Sequence, residues 1–261
     1  MPLDVFHLQD QLFLAYLLVT SRVIGLLAAM PLVGERNVPW QTKVGMSMLI
    51  GMLLLPLSHT PGDLPGDSFL ALGLGITREL LVGVFIGFIA RMFFGAFQFA
   101  VNAIDFQTGL SFIQIVSPGL GANLSVVGQL LNTLMLLLFL EMNGHHLLFI
   151  GLARSLESVP LGTAVASPEL VLGVIRLFGV FVSISFQIAL PVVVVLLLID
   201  VAMGVVGRVI PQLNVFMVAL PVKIMVGLAT LSVTLPTLSV LLGRLLQILA
   251  RDLVTLLRLL H

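Results

Sequence analysis

Residues Asp105–Asn123 read DFQTGLSFIQIVSPGLGAN. The stretch lies between two long apolar runs and has little regular pattern of its own. Gly109, Pro118, Gly119 and Gly121 loosen or stop helices. Phe106, Leu110, Phe112, Ile113, Ile115 and Val116 are bulky and apolar. A loop in water should not be so rich in such side chains. A loop in lipid would leave its backbone groups without partners. The stretch is therefore expected to pack inside protein or to line a pathway, with the flanking helices organised around it.

Composition says what those helices lie in. Of 261 residues, 59% are hydrophobic and 9% are charged, against about 25% charged in a soluble domain. Such a chain cannot cover itself with polar surface and reads as an all-α integral membrane protein. Net charge is zero and there is no basic tail, which argues against nucleic acid as a partner. Without cysteine there is no disulfide framework, thiolate metal site or redox pair. The N-terminus MPLDVFHLQD lacks a cationic region, so the first apolar helix, not a cleaved signal peptide, is expected to direct insertion.

A span needs about 20 apolar residues. Gln11–Val33 is the first candidate, interrupted by Arg22, and Trp40 opens the second, Thr42–Leu57, where an indole suits the membrane–water boundary. The Pro-Gly-Asp repeat in 58–68 is turn chemistry, and Asp63 and Asp67 have no further ligands near them to suggest a metal. Phe69–Ile104 is too long for one perpendicular span; it is either one long tilted helix or two with a break near Ala90–Gly95. Leu124–Leu140 carries no charge, and Leu147–Val159 reads as a short amphipathic helix ended by Pro160-Leu-Gly162. Ser167 suits an N-cap, with Pro168 in the first turn. Glu169–Leu190 and Val192–Val206 meet at Pro191, as one kinked helix or a hairpin arm. Beyond the turn 208–214, Phe216–Leu235 is apolar again. From Ser239 onward, Arg244, Gln247, Arg251, Thr255 and Arg258 form one helical stripe. A basic amphipathic helix of that kind fits a membrane surface or a partner groove, and its arginines favour a cytoplasmic C-terminus.

Arg22, Arg78, Glu79, Arg91, Arg176, Asp200 and Lys223 stand within or beside apolar runs. A charge at mid-span costs roughly 2.5–3.5 kcal/mol on insertion scales, so these residues must pair, face water or be covered by other subunits. Only Glu79 and Asp200 are deep carboxylates, too few for a proton relay. Gly83-Val-Phe-Ile-Gly87 is a small-xxx-small pattern, and Gly204 and Gly207 are one turn apart; both spacings let helix backbones approach. Enzyme motifs are missing. There is no H-E-x-x-H, no G-x-x-x-x-G-K-[ST], and Gly109-Leu-Ser-Phe112 lacks the following glycine and a placed histidine that an intramembrane serine site would need. His145 and His146 read as helix-end or interface residues. No catalysis, cofactor or metal is expected.

Two stretches carry a resemblance. One is Asp105–Phe112 with Pro118, Gly121, the run Phe139-Leu-Glu-Met-Asn-Gly-His145, and Ser155–Gly162. The other is Leu190-Pro191, Asp200-Val-Ala-Met-Gly204, Gly207-Arg208, Pro211-Gln-Leu-Asn-Val-Phe216 and Pro221-Val-Lys223. Together they resemble the FliR family of flagellar biosynthesis proteins, which has relatives in virulence type III secretion. The resemblance implies a channel-forming subunit of a type III export gate in the bacterial inner membrane, at the flagellar basal body, passing unfolded substrates. It implies one copy assembled with FliP and FliQ, with FlhB associated, in a cone largely lifted out of the bilayer. It implies long kinked helical hairpins, FliP-like over 1–165 and FliQ-like over 166–261. By the same resemblance the loop at about 106–122 plugs the lumen: Phe106, Leu110, Phe112, Ile113, Ile115 and Val116 would fill it, and Gly109, Pro118, Gly119 and Gly121 would let it move. Arg78, Glu79, Asp200, Gly204, Arg208, Pro211, Gln212, Asn214, Phe216 and Lys223 would serve assembly or interfaces. The alternative is a stand-alone transporter or channel for a small solute, with a polar site near mid-membrane.

Overall fold

The computed structural model describes residues 2–31, 38–58, 69–109, 126–165, 167–212 and 214–259. They form helices α1 (Pro2–Ala29), α2 (Trp40–Leu54), α3 (Phe69–Thr108), α4 (Val126–Glu141), α5 (Gly144–Ser158), α6 (Pro168–Val209) and α7 (Val215–Arg258), with a short 3₁₀ turn at Leu55–Leu57. No strand occurs among the described residues. In a chain this apolar, helices satisfy every backbone group locally. Four of them are long and apolar enough to cross a membrane: Gln11–Ala29 of α1, α3, α6 and α7; the bent pair α4–α5 would add a fifth if it crosses as one.

Three readings are decided by continuity. The run from Phe69 is a single helix of 40 residues, with no break near Ala90–Gly95. Nothing there can stop it, since the segment has no proline and a lone helical glycine costs only about 1 kcal/mol. The same helix continues past Ile104, so Asp105–Thr108, read from sequence as part of an irregular stretch, are its last turn. It ends at Gly109, whose φ of +81° is open to glycine and strained for other residues. Likewise α6 runs unbroken through Pro191, and α7 unbroken through Pro221 and Pro236. The sequence reading had separated Phe216–Leu235 from a terminal helix beginning at Ser239. Proline removes one helical hydrogen bond, but apolar helices tolerate it where nearby hydroxyls bond to backbone carbonyls. Around Pro236, Ser232, Thr234 and Ser239 donate to Leu228, Leu231 and Pro236 carbonyls respectively.

The chain divides into two compact units that share the long helices. One holds residues 1–94, 143–178 and 247–261; the other holds 95–142 and 179–246. In the first, Leu18, Leu26, Ile86, Phe93, Leu152 and Leu156 lie fully buried where α1, α3 and α5 meet. In the second, Phe97, Ile104, Met135, Phe139, Val192 and Leu196 form the centre. The polar stripe of α7 is on the outside, with Arg244, Gln247, Arg251 and Thr255 exposed. Over its last turns, from Leu249, its apolar side faces the rest of the chain. Leu249, Leu253, Leu256 and Leu257 are buried in the first unit, with Leu253 seated over Gly151 and Leu256 over Gly173. The groove that suits this amphipathic helix belongs to its own chain.

Small residues bring α1 and α3 to backbone contact. A methyl group built on Gly83 would sit 1.9 Å from the Arg22 carbonyl oxygen, and one on Gly25 would sit 2.3 Å from that of Leu80. Gly87 meets Ala29 in the same seam. The other small pair behaves differently: nothing lies within 4 Å of a methyl built on Gly204, and one on Gly207 would sit 2.8 Å from the Val215 side chain, with no helix backbone close to either. Gly83→Ala is therefore expected to force α1 and α3 apart and to destabilise the protein by about 1–3 kcal/mol, the usual scale of overpacking. Gly95→Ala, with open space around it, is the control. Thermal unfolding in mild detergent should separate the two, and equal melting curves would show that the close seam carries no stability.

Candidate functional site

Two polar clusters interrupt the apolar interior. The first is built on Arg22, which projects from α1 two turns before its end and is completely buried. Its Nε donates to Glu79 Oε2 of α3 at 2.5 Å. Its Nη1 donates to the Ser155 carbonyl at 2.8 Å and to Ser155 Oγ at 3.2 Å, both on α5. Its Nη2 donates to the Val159 carbonyl at 3.2 Å, just past the end of α5. The remaining oxygen of Glu79 accepts from the Gly162 amide at 2.7 Å, and Arg78, exposed beside it, donates to the Gly162 carbonyl at 2.9 Å. Gly162 can serve both because it turns with φ +79°. One guanidinium thus binds α1, α3, α5 and the turn after α5 into a single knot. Glu79 is fully buried inside the chain, so any effect it has on assembly passes through the fold it holds.

The second cluster sits at the end of α3, against the hairpin of α6 and α7. Asp200 of α6 forms an ion pair with Lys223 of α7. Gln107 of α3 joins both. Its Nε2 donates to Asp200 Oδ2 at 2.8 Å, and its carbonyl accepts from Lys223 Nζ at 3.3 Å. Beside this ring lies an open groove of about 540 Å³ lined by Phe106, Gly109, Met203, Gly204, Phe216 and Leu220, among others. The groove joins residues from both sequence-derived groups: Phe106 and Gly109 from the central stretch, and Asp200, Gly204, Phe216 and Lys223 from the hairpin.

The other expected residues are less concentrated. Leu110, Phe112, Ile113, Ile115, Val116, Pro118, Gly119 and Gly121 lie outside the described residues. Arg208 stands in the last turn of α6, where a cation complements the negative helix end. Pro211 and Gln212 are exposed in the turn that follows. Asn214 caps α7, its Oδ1 and carbonyl both accepting from the Met217 amide, at 3.4 and 3.0 Å. His145 and His146 open α5 and contact each other edge to face, a helix-end placement as expected. Among the described residues no cluster of three or more His, Asp or Glu could hold a metal. Gln107 was not singled out from sequence; an amide in the last turn of an apolar helix was the signal present. Nor did spacing alone join Arg22 to Glu79 or Asp200 to Lys223.

The model of a family described as "Bacterial export proteins, family 1" matches residues 13–249. The chain belongs to this family. It is 36% identical to the flagellar biosynthetic protein FliR of Bacillus subtilis (strain 168) over 85% of this chain and 86% of that protein. It is 32% identical to FliR of Escherichia coli (strain K12), over 81% of this chain and 80% of that one. FliR of Caulobacter vibrioides is 30% identical over 89% of this chain and 92% of its own length. The matched span contains both polar clusters, so the family's sequence extends over the Arg22 knot and the Asp200–Lys223 ring alike.

Removing one member of a fully buried ion pair leaves the other charged and unpaired, at about 3–5 kcal/mol. Arg22→Met should therefore cost about that much, whereas adding Glu79→Leu to it should return part of the loss. A double-mutant cycle on thermal unfolding in detergent checks this. Additive losses would mean that the two residues do not act as a pair.

Proposed function

We propose that the chain is a non-catalytic, channel-forming subunit of the flagellar type III protein export gate, and that its central stretch, about residues 106–122, closes the lumen. The observation that carries this reading is the match to flagellar biosynthetic FliR proteins over four fifths or more of both chains. In the proposed gate one copy assembles with FliP and FliQ in the inner membrane, with FlhB alongside, and unfolded substrates pass through. Residues 1–165 play the FliP-like part and 166–261 the FliQ-like part.

Surface character supports assembly. Within the most apolar stretches of α6 and α7, only 22% and 6% of residues are buried. Leu172, Phe178, Leu198, Val205, Phe216 and Met225 stand exposed along them. Exposed apolar area on that scale calls for lipid or for neighbouring subunits. The hairpin also carries Asp200 and Lys223 as an ion pair, which lowers the cost of placing them in either setting. For the seal, Phe106 is exposed beside the groove and Gly109 supplies a hinge with positive φ. Phe112, Ile113, Ile115 and Val116 enter the proposal through their apolar character alone. A plug of such side chains resists water and ions, and glycines on either side let a substrate displace it.

Deleting Gly109–Gly121 is expected to leave the hetero-oligomer assembled while making the membrane leak small ions. Conductance of the purified complex in planar bilayers reads this directly, with native mass spectrometry confirming assembly. An assembled deletion complex as tight as wild type would remove the seal. Transport by a homo-oligomer of this chain alone would instead support the stand-alone transporter.

A further inference from the structure

The end of α3 lacks something that the hairpin supplies. The last carbonyls of a helix have no partner within it, and the helix end carries partial negative charge. α3 has no basic residue in its last turn. Lys223, from α7, fills that role by donating to the Gln107 carbonyl. The Gln107 side chain returns a hydrogen bond to Asp200, and Asp200 pairs with Lys223, which closes the ring. Two residues later the chain turns at Gly109, where a side chain would be strained and would press on Leu220. Among the described residues the ring is therefore the last side-chain hold of the hairpin on α3 before that turn.

It is also a hold that can be undone. The Asp200 side chain is 42% exposed and that of Lys223 16%, whereas both members of the Arg22–Glu79 pair are at 0%. Water can replace each bond in the ring as it opens, and the adjoining groove gives the end of α3 space to move into.

We propose that Gln107 is a positioning residue, which together with Asp200 and Lys223 forms a releasable clamp holding the end of α3, and so the start of the central stretch, against the α6–α7 hairpin. This rests on the reading of the central stretch as a seal. Breaking the clamp loosens the seal at its base without dismantling the subunit.

Exchange of donor and acceptor tests the pairing. Gln107→Glu sets a second carboxylate against Asp200, and Asp200→Asn removes the charge that holds Lys223. Combined, the two substitutions restore one carboxylate and one amide, in reversed positions, beside Lys223. In the assembled complex each single variant should leak ions about tenfold above wild type, the population change expected for loss of one charge-assisted hydrogen bond. The double variant should return towards the wild-type level. The Gly109–Gly121 deletion is measured alongside. If the deletion leaks but the single variants stay tight, or the double variant leaks as much as they do, the clamp is wrong and the seal stands. A tight deletion complex removes the seal and the clamp with it. Should the charge variants fail to assemble, Gln107→Leu, which deletes the amide without adding charge, is read in the same way, and a tight membrane overturns the clamp.

Discussion

Arg22 is the constraint on which one unit of this protein depends. A guanidinium keeps its charge under all ordinary conditions and presents five donors in a fixed plane. Within an apolar helix and fully buried, it can be tolerated only where several acceptors converge. Glu79, Ser155 and Val159 provide them from α3, α5 and the turn beyond. Convergence requires α1 and α3 to touch at the backbone, because an arginine that had to reach across a wider gap could not bond to three neighbours at once. Gly25, Gly83 and Gly87 remove the side chains that would keep them apart. The glycine seam and the buried charge are two halves of one arrangement: the seam permits the approach and the charge fixes its register.

The hairpin follows another rule. Its charges meet in a half-exposed pair, and the long helices on either side of them are apolar on surfaces that the chain does not cover itself. A buried knot holds a fold in one form, since opening it strands a charge in protein. A half-exposed pair contributes on the order of 0–1 kcal/mol, because solvent stands ready to replace either partner. A cation–carboxylate pair therefore suits permanence where it is buried and exchange where water reaches it.

Much of this was legible in the residues. Composition named the class, and the apolar runs located α3 and α6 to within about four positions, whereas α1 begins well before Gln11 and α7 joins two runs that read as separate. The Gly83–Gly87 spacing pointed to a close seam, and Ser167 caps α6 as expected, its Oγ accepting from the Leu170 amide at 3.2 Å. Continuity was harder. Pro191 and Pro236 look like interruptions in a string of letters, yet each removes a single hydrogen bond from a helix of more than ten turns. Partners were harder still. Arg22 and Glu79 are 57 positions apart, and Gln107 and Asp200 are 93 apart; no periodicity within one helix records which faces of two others will meet. The amphipathic end of α7 shows the same limit. Its pattern announced a groove, but not that the groove was made by α5 and α6 of the same chain.

The strengths of the two clusters bear on how the proposed gate could open. A moving part needs an anchor that does not yield and a joint that does. Opening the Arg22 knot would cost about 3–5 kcal/mol for the first broken partner alone. That lowers its open population by more than two orders of magnitude. The Gln107 ring has a partly exposed ion pair and two charge-assisted hydrogen bonds, each worth at most about 1.5–3 kcal/mol and less where water reaches it. A substrate segment competing for the same donors and acceptors can offset that much. Force applied along the central stretch would then be spent at the end of α3 and the Gly109 turn before it reached the buried pair.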